Sequence, residues 1–143
     1  MQASQLTDTT NDFGFKSKMA DAQMLATACR RAGDSRSEGL SYFRLALLQD
    51  NISALGNAVK AYKKYLTVCE RVEDTAGASL ALNCIGVNLY IMATQVNNLD
   101  RKERLLQNAA LYHERHFENG DTRSQFVAKI NGCVGFFLLF PGS

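Results

Sequence analysis

The sequence predicts an all-α protein, a helical solenoid of about six helices, on three observations. First, a short turn ending in Asp recurs as Gly33-Asp34, Glu73-Asp74 and Gly120-Asp121, at intervals of 40 and 47 residues. Second, the seventh and twelfth residues after each Asp are small, namely Ser41, Ala81, Ala128 and Ala46, Gly86, Cys133. Such a period is typical of helical repeats that bury their faces on their neighbours. Third, the single proline is Pro141, so the chain before it can form long helices.

Size and composition favour one globular domain without nucleic-acid or membrane chemistry. The chain has 143 residues, of which 46% are hydrophobic and 21% charged, values that are ordinary for a globular protein. A net charge of +2 argues against a nucleic-acid partner, and we interpret the basic clusters at 60–64 and 101–104 as solvated helix faces. No apolar run reaches the roughly 20 residues of a membrane span, and no secretory signal is visible. We therefore expect a cytoplasmic protein with no membrane partner.

The four cysteines are expected to pack rather than react. Cys29, Cys69, Cys84 and Cys133 form no CxxC pair, and all four fall inside predicted helices. Cys29 and Cys69 each stand five residues before a turn Asp, which favours a small hydrophobe in a repeated packing position. The composition favours a reducing compartment over a disulfide framework.

The N-terminal half reads as a leader followed by three helices. Residues 1–16 are polar and without periodicity, which predicts a flexible leader. Helical spacing of apolar residues predicts a first helix over 17–32, ended by Gly33, and a second over 36–50. A third helix is predicted over 53–72, with one apolar and one lysine-rich face.

The C-terminal half continues the pattern and ends in an apolar segment. The helix predicted over 75–94 is the most apolar and should lie at the centre of the stack. A loop is predicted over 95–101, a fifth helix over 102–118, and a last helix from about residue 122. Because a terminal repeat should present a polar outer face, Phe136–Phe140 suggests one of two things. Either this end docks on another molecule, or the repeat domain, residues 17–140, is truncated at its C-terminus.

The spacing of large and small residues resembles the tetratricopeptide repeat (TPR) family, in its branch of longer, ~40-residue repeats. The first copy consists of Tyr42, Leu45-Ala46 and Gln49, then Ala58, Tyr62 and Tyr65; the second of Leu82, Ile85-Gly86 and Leu89, then Ala109, His113 and His116. The resemblance implies a right-handed α-solenoid of antiparallel helix pairs with about 2.5 repeats, and an insertion of about 11 residues near 95–105. Members of that branch serve in spindle-orientation, G-protein-regulating and ciliary scaffolds.

No constellation of residues predicts an enzyme. His113 and His116 are separated by three residues, whereas a zinc-binding helix of the HExxH type needs a separation of four, so we expect them to pack a helix pair. The chain has no glycine-rich phosphate loop and no nucleophile elbow. The sequence therefore predicts no catalytic, cofactor-binding or metal-binding residue, and no cofactor.

The resemblance implies a partner-binding groove, because the first helices of successive TPR pairs line a concave surface. This places Phe43, Leu47, Asn83, Val87 and Tyr90 in contact with a protein or peptide partner. Leu47 and Val87 stand where chaperone-binding members carry Asn, which favours an extended or helical partner held by apolar contacts. The alternative is a structural subunit of a larger ciliary or cytoskeletal complex. That subunit would contact its partners, or a second copy of itself, through Phe136–Phe140.

Overall fold

A computed structural model describes the backbone of residues 2–119 and the side chains of residues 14–119. Within this range the chain forms five helices and no strand, which confirms the predicted all-α class. The helices are α1 (Gln2–Ala32), α2 (Ser35–Asn51), α3 (Leu55–Arg71), α4 (Thr75–Thr94) and α5 (Leu99–Asn119). The predicted sixth helix, the Gly120-Asp121 turn and the Phe136–Phe140 segment lie outside the described residues.

Each helix packs on the next along the chain, and alternate helices also make side-chain contacts. The Asn88 amide on α4 donates to the Asp50 carboxylate on α2 at 2.6 Å. The Arg115 guanidinium on α5 donates to the Glu70 carboxylate on α3 at 3.0 Å. These contacts place α2 beside α4 and α3 beside α5.

Three of the connections between helices are the same turn, repeated every 20 residues. Gly33, Ser53 and Glu73 each adopt a left-handed backbone conformation, with φ of 76°, 59° and 59°. In each turn the next residue's N–H donates to a carbonyl five residues earlier, at 2.8–2.9 Å, as in a Schellman helix end. This arrangement satisfies the last carbonyls of one helix and starts the next at once, so consecutive helices fold back on each other.

The residue after each turn begins the following helix, and two of the three are aspartates. The Asp34 carboxylate accepts from the Ser37 N–H at 3.2 Å, and the Asp74 carboxylate from the Gly77 N–H at 3.0 Å. Both are N-caps, which satisfy an amide that the helix itself leaves without a partner. Ala54 occupies the same place before α3 and makes no side-chain cap bond.

Helix α4 forms the centre of the described core. It carries no charged residue, and Ala81, Leu82 and Ile85 are completely buried. Among residues 2–119 it is the one helix with the length and hydropathy of a membrane span. Because 56% of that apolar stretch is buried against neighbouring helices, the core of this fold accounts for its composition.

The helix bounds differ from the sequence predictions in two places. Helix α1 begins at Gln2, so the backbone of residues 2–16 is helical where the sequence predicted a leader without regular structure. Once a helix has formed over 17–32, each further residue that is fixed adds one hydrogen bond, so the helix can extend toward the N-terminus. Residues 2–16 contain no proline that would interrupt it. The flexibility of residues 1–16, and the domain limits of 17–140, stay predictions.

The second difference is the connection between α4 and α5. The sequence predicted a loop over 95–101 and an insertion near 95–105, but α5 already begins at Leu99. Helices α4 and α5 have 20 and 21 residues, against 17 each for α2 and α3. The additional residues therefore lengthen the second helix pair. The Asn98 side chain caps α5 by accepting from the Arg101 N–H at 2.9 Å, which sets the early start.

Candidate interaction surface

Helix α2 exposes one face in which arginine and leucine alternate at about one residue per turn. Arg36, Leu40, Arg44 and Leu47 are all exposed, and the two leucines retain 58% and 43% of their accessible surface. Phe43 lies beside them and is half-buried. The opposite side of the helix carries the core residues. Within residues 14–119, whose side chains the structure describes, nothing covers these two leucines.

Helix α4 repeats this face 40 residues later. Leu80, at the position of Leu40, is 44% exposed, and Val87, at the position of Leu47, is half-buried. Asn83, Tyr90 and Ile91 flank them and are also half-buried. We call the two stripes together the open face; it comprises Arg36, Leu40, Phe43, Arg44 and Leu47 on α2, and Leu80, Asn83, Val87, Tyr90 and Ile91 on α4.

The five residues predicted to bind a partner all lie on or at the edge of the open face. Leu47 is exposed, and Val87, Asn83 and Tyr90 are partly accessible. The Phe43 ring leans on α3, with its centroid 5.0 Å from the ring of Tyr65. Phe43 therefore packs the α2–α3 pair as much as it lines a surface. Their role in binding a partner stays a prediction.

The predicted partner-binding set omitted five members of this face, namely Arg36, Leu40, Arg44, Leu80 and Ile91. Leu40 and Leu80 stand seven residues before Leu47 and Val87, two helical turns away, so the helical period alone would have added them. Arg36 and Arg44 were not considered, because a basic residue on a helix is ordinarily a solvated one. Their place among exposed leucines becomes visible only once the opposite side of α2 is known to be buried.

A polar network holds α2, α3 and α4 in register beside the open face. The Asp50 carboxylate accepts from the Tyr62 hydroxyl at 2.5 Å and from the Asn88 amide at 2.6 Å. Burial, and then the hydrogen bond to Asp50, raise the pKa of Tyr62, which keeps the hydroxyl protonated as the donor. Since each partner comes from a different helix, the network fixes the relative position of the two stripes.

Two of the described cysteines have thiols in surroundings that disfavour ionisation. Burial raises the pKa of the Cys84 thiol and of the Cys69 thiol, and the reactive thiolate is disfavoured as a result. Cys29, Cys69 and Cys84 are free thiols. This agrees with the packing role expected for them.

The two histidines of α5 are buried in the second helix pair, as expected of packing residues. His113 and His116 are 4% and 3% exposed, and the His113 ring lies against α4 at Gly86. Burial, and then the charge of His116, lower the pKa of His113 to about 4; burial lowers the pKa of His116 as well. Neither Nδ1 atom has a hydrogen-bond partner among the described residues. Among residues 14–119, whose side chains are described, no group of three potential metal ligands surrounds them.

Comparison with known protein families and with curated proteins identifies no relative of this chain. No protein-family model matches the chain. No curated protein matches it at a significant level. The similarity to TPRs therefore remains a resemblance in the residues quoted above.

Proposed function

We propose that this protein is a non-enzymatic scaffold, a right-handed solenoid of TPR-like antiparallel helix pairs, which binds a peptide segment or a partner subunit on its open face. One observation carries the proposal: α2 and α4 place accessible apolar residues at equivalent positions 40 residues apart, while their opposite sides form the core. Leu40, Leu47 and Leu80 are exposed, and Val87 is half-buried. A repeated stripe on adjacent helices is the geometry of a surface that extends across repeats. We place the protein in the cytoplasm.

The energetics favour a partner that contacts both helices. Complete burial of a leucine contributes about 1.5–3 kcal/mol, and Leu40, Leu47 and Leu80 are each near half-exposed. Covering all three would contribute about 3 kcal/mol, which is weak by itself. A stable complex therefore also requires contacts with the half-buried residues between them, such as Val87 and Tyr90. An elongated segment lying across the two stripes meets this requirement.

The test replaces the exposed leucines by aspartate. We expect Leu40→Asp, Leu47→Asp and Leu80→Asp, combined in one protein, to lose the partners that the wild type captures from its native cells after in-cell crosslinking. The matched control is Leu99→Asp with Leu111→Asp, since these leucines are 79% and 56% exposed but lie on α5. Circular dichroism must show the same helix content and melting temperature for all three proteins. Capture of the same partners by both variants would exclude the open face.

A second arm of the same experiment distinguishes binding through the open face from binding through the apolar segment Phe136–Phe140. Deletion of residues 133–143 leaves the open face intact. Partners that survive this deletion but not the triple substitution bind the open face, and the reverse pattern favours an assembly subunit that contacts its neighbours through the C-terminal end.

A further inference from the structure

The open face is positively charged, with no acidic residue on it to balance the charge. The two carboxylates within α2 are engaged elsewhere: Glu38 is 4% exposed and pairs with Arg71 at 2.9 Å, and Asp50 accepts from Tyr62 and Asn88. Helix α4 carries no charged residue between Thr75 and Thr94. The exposed charges of the open face are therefore those of Arg36 and Arg44.

Both arginines are exposed on α2. No carboxylate among residues 14–119 forms an ion pair with Arg36 or Arg44. Arg36 lies near the Asp34 cap, but it contributes least to the lowered pKa of Asp34, which the bonds from Ser37 dominate. Two exposed cations beside exposed leucines complement a partner that offers carboxylates next to apolar side chains.

The spacing of these side chains matches a helical partner. From Arg36 to Leu47 the stripe alternates cation, leucine, cation, leucine at close to one residue per turn, or about 5.4 Å along the axis. A helix laid along α2 repeats its own surface at the same interval, so acidic and apolar residues can face each position in turn. In an extended strand, residues on one side recur at roughly 6.6–6.8 Å and drift out of register within two turns.

We propose, resting on the function above, that the partner segment is an acidic amphipathic helix. Its apolar stripe packs on Leu40, Leu47 and Leu80, and carboxylates along one flank of that stripe pair with Arg36 and Arg44. The uncharged face of α4 receives the rest of the apolar stripe. The arginines select among amphipathic helices, and the leucines supply contact area.

The experiment measures binding of three synthetic helices to the full chain by fluorescence anisotropy. The peptides share one leucine stripe and differ at the flanking positions, which are Glu, Gln or Lys. We expect the Glu peptide to bind about tenfold more tightly than the Gln peptide, as two exposed ion pairs allow, and the Lys peptide to bind weakest. A fourth peptide has the Glu composition with a proline in its centre, and we expect at least tenfold weaker binding for it.

Charge reversal locates the selectivity. In the variant Arg36→Glu with Arg44→Glu, we expect the Lys peptide to become the tightest. The control, Arg101→Glu with Arg104→Glu, makes the same change in net charge at two exposed positions of α5 and should keep the wild-type order. The proposal is overturned by equal affinity of the Glu and Gln peptides, by equal reordering in both variants, or by tight binding of the proline peptide.

These outcomes are distinct from failure of the open face itself. If charge at the flank has no effect but the aspartate triple variant loses all three peptides, the surface binds helices without charge selection. If the triple variant binds every peptide as the wild type does, or the wild type binds none, both the inference and the peptide-binding function are wrong.

Discussion

The helix pairs α2–α3 and α4–α5 follow one plan with different interiors. Both begin at an Asp-capped turn, and both carry a small residue twelve positions later, Ala46 or Gly86. In the first pair the aromatic ring of Phe43 packs on Tyr62 and Tyr65. In the second pair a histidine ring lies directly on Gly86.

The contrast between the interiors of the two helix pairs indicates which features specify the repeat. Turn geometry and one position of close approach are shared, whereas the large side chains that fill the space are not. Packing constrains volume and shape more than chemical identity, so an aromatic cluster and a histidine can serve equivalent places. The first pair also contacts α4 through Asp50, which accepts a hydrogen bond from Asn88. The equivalent position of the second pair, 40 residues later, is Tyr90.

The largest expected effect on the free energy of unfolding comes from removing the Asp50 carboxylate, a contact that the first helix pair has and the second lacks. Asp50→Ala leaves the buried Tyr62 hydroxyl and the Asn88 amide without their acceptor, and we expect a loss of about 2–4 kcal/mol in the free energy of unfolding. Urea denaturation measures it. The control is Asp21→Ala, an exposed carboxylate of α1, which should change stability by about 0.5 kcal/mol or less. Equal effects would show that the network does not hold the helices together.

The next test asks whether the second pair needs its glycine. A Cβ at Gly86 would stand 2.5 Å from the His113 ring, so Gly86→Ala should destabilise by about 1–3 kcal/mol. Gly56→Ala on α3 is the matched control, because its Cβ would meet only the end of Met92 at 3.8 Å. That change should stabilise by up to about 1 kcal/mol, as alanine favours a helix over glycine. A neutral Gly86→Ala would mean that the ring can move aside.

The buried histidines should make stability depend on pH. The pKa of His113 is about 4 in the folded protein, below the usual 6.5. Between these values the unfolded chain binds more protons, so stability falls as pH is lowered through that window. We expect a loss of about 1.5 kcal/mol from pH 6.5 to 5 by urea denaturation.

The double variant His113→Gln with His116→Gln should flatten this pH dependence, since the pKa of His116 is lowered too. The control is Leu111→Gln, a change without a titrating group at an exposed neighbour on α5, which should leave the slope as in the wild type. A slope that survives the double variant would assign the effect to carboxylates instead.

The smallest effect concerns the shared turn, occupied by Gly33 before α2 and by Glu73 before α4. Both have positive φ, a conformation that glycine adopts freely and other residues at a cost. Gly33→Ala should destabilise by about 1 kcal/mol, while Glu73→Gly should stabilise by up to about 0.5 kcal/mol. Thermal melts of the two variants should therefore shift in opposite directions. Shifts of the same sign would show that the turns are not equivalent.

The bounds of the central helices could be predicted because their signals are local. The fourth helix was predicted over 75–94 and is observed at Thr75–Thr94, since the Asp74 cap and the apolar run mark both of its ends. The turn at Ser53 was missed: the sequence predicted helices over 36–50 and 53–72, whereas α2 continues to Asn51 and α3 begins at Leu55. Neither Ser53 nor Ala54 carries the glycine or the capping side chain that marks the other two turns.

The sequence by itself determined the helical class, the recurring capped turn and the positions of close approach, because these depend on a few neighbouring residues. Only the tertiary structure decided which of these positions meet. Asp50 reaches Tyr62 across 12 residues and Asn88 across 38, and Gly86 receives His113. Such contacts depend on how helices cross and in what register, and that is set by the fit of whole faces rather than by any local pattern. The open face is also a feature that only the tertiary structure decided. A stripe of residues on a helix is known to be exposed only once the opposite side of that helix is known to be buried.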